Sequence, residues 1–191
     1  MYPKNIYKFN YIICIILILF LLILSFSPKR YIYSLPTLPL YPDNINEANI
    51  VYNINNNASY YDIQFFKQTD VTIYYEVQNI IPQVTKHQFN RYIRFLDPII
   101  ISIKLLFNRA RPYQINSLIK NENSETGNTP AFPAGHAFQA YYLAKILGKQ
   151  FPEKQKQLDL LARKCDDCRV KAGIHYPSDG KFSYFLVHTF F

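Results

Sequence analysis

The chain of 191 residues has no tryptophan, one methionine, five glycines and only three cysteines. The cysteines exclude a structural zinc site of the usual kind. Cys14 lies inside an apolar run, and Cys165 and Cys168 form a single CxxC, short of the four ligands such a site takes. The formal charge is +8, yet no long basic block or stripe concentrates it, so no nucleic-acid partner is expected. Strand-like alternation is scarce and no internal repeat is visible. No second long apolar run follows the first, which argues against a multi-pass protein.

What is present begins at the N-terminus. Lys4 and Lys8 precede an uncharged run without Gly or Pro that opens at Tyr11 and closes at Phe26 (YIICIILILFLLILSF). It reads as a single-pass signal anchor that holds the protein on a membrane, with the remainder lumenal or extracytoplasmic. Cleavage near the small residues Ser25 and Ser27 would instead make the protein secreted. Residues 28–59 are rich in Pro and Asn, including Pro36, Pro39 and Pro42, and read as a tether or arm rather than regular structure.

Beyond residue 60 the spacing predicts helices over 61–81, 83–96, 98–109, 134–149 and 152–172, with a last one from Pro177 to the C-terminus. A polar loop occupies 113–130. The expected fold is all-α, a single bundle of about five or six helices in residues 60–191. Helical phasing puts Cys165 and Cys168 on one stripe with Leu158, Leu161, Ala162 and Ala172, which assigns them to the core.

Three short motifs remain at helix ends and in loops: KLLFNRARP with Lys104 and Arg111, FPAGHAF with Gly135 and His136, and CRVKAGIHYPSD with Arg169, His175 and Asp179. Two arginines and a lysine suit a tetrahedral oxyanion, since arginine offers a planar fork of donors and lysine a compact charge. Amides at the start of the Gly135–His136 helix add to them. Two histidines and a carboxylate then suffice for a nucleophile, an acid/base and an orienting group. Pro177 starts the helix that carries Asp179, so this carboxylate can reach back to His175 and fix its tautomer. No carboxylate cluster or second His pair suggests a metal, and the expected chemistry is metal-independent phosphoryl transfer through a phosphohistidine.

The order Lys-x6-Arg-Pro, PxGH, Arg-x5-His-x3-Asp over residues 97–179 resembles the signature of the type 2 phosphatidic acid phosphatase and vanadium haloperoxidase superfamily, which includes the class A acid phosphatases. The resemblance implies an all-α bundle that hydrolyses a phosphomonoester, either a lipid phosphate or a small soluble ester, without a cofactor. It also implies roles. Lys104, Arg111, Arg169 and the Gly135 amide would hold the phosphoryl oxygens, His175 would be the nucleophile oriented by Asp179, and His136 would serve as acid and then base. Vanadate enters as a phosphate mimic, and a vanadate-dependent haloperoxidase or a non-catalytic phosphate-binding relative is the alternative. The chain departs from the pattern at Ala134, where the family usually has Ser, and at Cys168, where Ser usually precedes the arginine. The hydroxyl that Ala134 lacks predicts weaker phosphate binding or slower turnover, by about 1–3 kcal/mol.

Overall fold

Asp43 accepts from the backbone amides of Ile45 and Asn46 and so starts the first of the described helices, α1 (Asn44–Asn56). In the computed structural model, which describes residues 41–125 and 127–191, helices follow one another with no strand among the described residues. After α1 come α2 (Tyr60–Thr69), α3 (Tyr74–Ile80), α4 (Lys86–Ile93), α5 (Leu96–Phe107), α6 (Pro112–Ile115), α7 (Gly135–Gln150), α8 (Gln155–Lys171) and α9 (Pro177–Phe190). All lie within one unit, Ile32–Phe191. The all-α expectation is met, with more and shorter helices than the sequence pattern predicted.

Several boundaries differ, each for a local reason. The helix expected over 61–81 breaks at residues 70–73 into α2 and α3. Ser59 and Asp62 form a capping box that starts α2, and Thr85 and Gln88 form one that starts α4. α5 stops at Phe107 because Asn108 adopts a left-handed conformation (φ 44°), and Pro112 opens α6. The stretch read as an arm is corrected in part, since α1 occupies most of its second half. The apolar run at 11–26 lies outside the described residues. Among the described residues, no helix is long and apolar enough to cross a membrane.

α7 and α8 form an antiparallel pair at the centre. Their facing residues Leu143, Leu147, Leu158, Ala162 and Cys165 pack with Phe65, Phe66, Val77 and Phe89 from α2, α3 and α4. Each fully buried large apolar side chain among them contributes about 1.5–3 kcal/mol. Cys165 and Cys168 are buried free thiols in this core, and burial pushes Cys165 up to about 12. α5 and α9 cover another side of α7 through Leu96, Ile100, Phe138 and Val187. α1 lies across the end of α8, where its Asn55 side chain donates to the carbonyls of Lys171 (2.7 Å) and Lys120 (3.0 Å).

α8 is followed at Gly173 by a left-handed turn (φ +76°) that brings His175 back toward α5 and α7. A Cβ there would sit 2.6 Å from Ile119 Cγ2 and 2.7 Å from the Lys120 carbonyl oxygen. Gly173→Ala is therefore expected to destabilise the fold by about 2 kcal/mol, read as a lower urea midpoint with an unchanged m-value. A midpoint equal to wild type would contradict the packing of this turn.

Candidate active site

Five of the seven residues singled out in the sequence line one cavity of about 550 Å³: Lys104, Arg111, Gly135, His136 and His175. They come from separate elements. Lys104 is in the last turn of α5, Arg111 is the N-cap of α6, Gly135 and His136 open α7, and His175 sits in the turn between α8 and α9. Asp179, in the first turn of α9, lies behind His175 with no exposure. Arg169 is also fully buried and is not among the cavity's lining residues.

The tautomer of His175 follows from its neighbours. Arg111 Nη1 lies 3.1 Å from Nε2, and an arginine nitrogen can only donate. Nε2 must therefore hold the lone pair. Nδ1 carries the hydrogen and donates it to Asp179 Oδ2 at 3.0 Å. Burial and the Arg111 charge lower the His175 pKa to about 3, against the opposing pull of Asp179. The ring is thus neutral, with its lone pair turned toward the cavity cations.

Asp179 stays ionised although burial opposes it. Arg109 (2.6 Å from Oδ1), His175 and the backbone amide of Tyr176 (2.9 Å) hold its pKa at about 2. Arg109 is in turn fully engaged. It donates to Glu47 Oε2 (2.7 Å), Ser178 Oγ (2.7 Å) and Asn44 Oδ1 (2.9 Å). Its guanidinium lies 3.9 Å from the ring centroid of Tyr41 and 3.7 Å from that of Tyr176. Glu47 also accepts from the Ser178 amide and hydroxyl, at 2.8 and 2.6 Å.

The cations crowd one another. Burial and the nearby Arg111 push the Lys104 pKa well below its ordinary value, while its ammonium donates to the Pro130 carbonyl. Arg111 is braced by the carbonyls of Thr129 (3.0 Å) and Ile174 (2.7 Å). Arg169 spends Nη1 and Nη2 on Thr69 Oγ1 (2.8 Å) and the Thr69 carbonyl (2.6 Å), while its buried Nε has no partner. Burial, then Arg169 and His175, lower His136 well below the usual imidazole value, against a hydrogen bond to the Asp70 backbone. No side chain caps α7, so the amides of its first turn add a positive end at Gly135. A Cβ at 135 would sit tightly against Ile100 Cγ2 (3.3 Å) and in ordinary contact with Lys104 Cε (3.7 Å). Such a set of mutually repelling cations is complementary to a compact anion.

Sequence reasoning missed Arg109, Glu47, Ser178, Tyr41 and Tyr176. A signal existed for Arg109 in the RARP motif, which places a second arginine two residues before Arg111. None existed for Glu47, in a stretch whose composition suggested an arm. No family model matches this chain, and no curated protein does.

A stability profile tests these assignments. His175 is lowered, so the unfolded chain binds its proton below about pH 6.5 and the folded protein does not until about 3. Its contribution is complete above pH 6.5 and is lost as pH falls toward 3. Asp179, lowered from 3.8 to about 2, adds a loss across that lower interval. Urea-unfolding free energies from about pH 6 to about pH 4 should fall with a His175 share of at most about 1.4 kcal/mol per pH unit. His175→Gln should flatten the slope by that share, and an unchanged slope would contradict a neutral buried ring.

Proposed function

We propose that this protein is a phosphomonoester hydrolase that works through a phosphohistidine at His175, on a lipid phosphate or small phosphate ester. The observation that carries the reading is the chain Arg109–Asp179–His175, which leaves an unprotonated Nε2 inside a cavity lined by Lys104 and Arg111. Its likeness to the phosphatidic acid phosphatase type 2 and acid phosphatase signature supports the same assignment.

In this mechanism the phosphoryl oxygens are met by Lys104, Arg111 and the Gly135 amide. The anion draws the Arg111 N–H away from Nε2, which frees the lone pair for in-line attack on phosphorus. The P–O bond to the leaving alcohol breaks as N–P forms, and His136 supplies the proton to the departing oxygen. A phosphoryl dianion offsets the cationic field that lowers the His136 pKa, so substrate binding and protonation of His136 are coupled. His136 then takes a proton from water, water oxygen attacks phosphorus, and the N–P electron pair returns to Nε2 as phosphate leaves. Asp179 balances the charge that develops on His175 and remains ionised throughout. By the same reading, the helical domain lies on the extracytoplasmic or lumenal side of a membrane, held by residues 11–26.

Ala134 favours a second reading, a phosphate-binding relative without turnover. Its side chain offers no hydroxyl, and its carbonyl is occupied by Ser183 Oγ at 3.0 Å. One experiment separates the two. The full chain in detergent, with chelator and no added metal, is assayed on a panel of soluble and lipid phosphomonoesters and quenched to trap labelled phosphoenzyme. Hydrolysis and acid-labile label are expected on wild type. His175→Ala should lose the label and His136→Ala should slow turnover by about 10²–10⁴-fold. Ala134→Ser should raise kcat/KM by about tenfold. No label and no turnover from wild type and Ala134→Ser alike would reject the enzyme reading, as would a strict requirement for a divalent ion.

A further inference from the structure

We propose that the outer face of α5 docks on the surface of an anionic lipid bilayer. α5 has two charged residues, Asp97 and Lys104, and both line the cavity. Asp97 is exposed at the helix start, where it accepts from Gln139 Nε2 (2.9 Å), and the rest of the outward arc carries no charge. Ile99, Ile101 and Leu106 are exposed there (37%, 40% and 65%), beside exposed Ser102, with Phe95 exposed just before the helix (42%). A helix that is apolar on its inner and outer faces alike is covered by something other than water.

Three observations identify the cover as a lipid surface. First, the depression at the α4–α5 junction is lined by His87, Asn90, Arg91, Arg94, Phe95 and Pro98, with no carboxylate. Among the described residues no carboxylate pairs with Arg91 or Arg94. Basic side chains flanking an exposed aliphatic stripe match anionic headgroups above an acyl layer. Second, the chain reaches the described domain at the C-terminal end of the same helix, where the Tyr41 ring packs against Phe107 and Phe132. Residues 27–40 separate that point from the apolar run, a reach of at most about 50 Å. Third, Ile101 belongs to both surfaces, since it lines the cavity and stands at the edge of the outward arc. Docking of this face would set the cavity mouth beside the headgroups. The proposal concerns a surface and does not depend on the phosphatase reading.

The absence of tryptophan gives a direct test, because each introduced tryptophan reports one position. The full chain is reconstituted with a roughly 3:1 mixture of brominated phosphatidylcholine and phosphatidylglycerol, carrying Ile99→Trp, Leu106→Trp or, on α2, Tyr61→Trp. Emission from positions 99 and 106 should shift to the blue and lose about half its intensity to bromine, while position 61, exposed at 81%, keeps its own. Adding Arg91→Glu with Arg94→Glu should relieve quenching at 99. Equal quenching at all three positions, or none at 99 and 106, overturns the proposal. A blue shift without bromine quenching, with crosslinks between copies, assigns the face to a second copy of the chain and also overturns it. Ester hydrolysis by the same samples reports separately on the phosphatase reading, which can fail while the quenching pattern holds.

Discussion

Asp179 is a carboxylate with no solvent exposure, and the architecture around the cavity serves to keep it charged. Withdrawing an ion of this size from water costs several kcal/mol even after relaxation, and it persists only when every lone pair is met. Here Arg109, the Tyr176 amide and His175 meet them. Arg109 brings the same problem with it and is answered by Glu47, Ser178, Asn44 and two tyrosine rings. α1 therefore belongs to the site although none of its residues lines the cavity. Removing one partner of such a set leaves an uncompensated buried charge, whereas the intact set fixes one orientation of one imidazole.

That orientation matters because of what stands on the other side of the ring. Lys104 and Arg111 share the cavity, and burial, reinforced by neighbouring positive charge, lowers the pKa of Lys104 and of both histidines. The site holds two neutral imidazoles in a field that favours anions. An incoming dianion changes the two rings differently. His136, half-buried at the α7 start, gains a reason to take up a proton, whereas His175 is already bound through Nδ1 and presents only its lone pair. Two similar side chains are thereby set to unlike tasks by their surroundings.

Much of this was legible in the sequence where a short spacing carries the geometry. His175 and Asp179 are four residues apart across a proline that starts a helix, and the hydrogen bond between them follows almost directly. The apolar stripe of α8 placed Cys165 and Cys168 in the core by phase alone. What was not legible depends on contacts between distant segments. Glu47 reaches Arg109 across 62 residues, and Thr69 reaches Arg169 across 100. Neither segment has a composition that marks it. Arg169 was expected among the groups that hold the phosphoryl oxygens, and the structure commits two of its nitrogens to Thr69. The stop at Asn108 was hidden too, because left-handed asparagine leaves no periodic signature, and it is this turn that separates Lys104 on α5 from Arg109 and Arg111 beyond it.

The proposed chemistry depends on the protonation of one ring, and nitrogen-15 NMR of histidine-labelled protein near neutral pH reads it directly. The His175 signals, assigned by loss in His175→Gln, should show a protonated pyrrole-type Nδ1 and an unprotonated pyridine-type Nε2, unchanged down to about pH 5. An imidazolium near neutrality, or the hydrogen on Nε2, would contradict the arrangement from which the proposed chemistry was built.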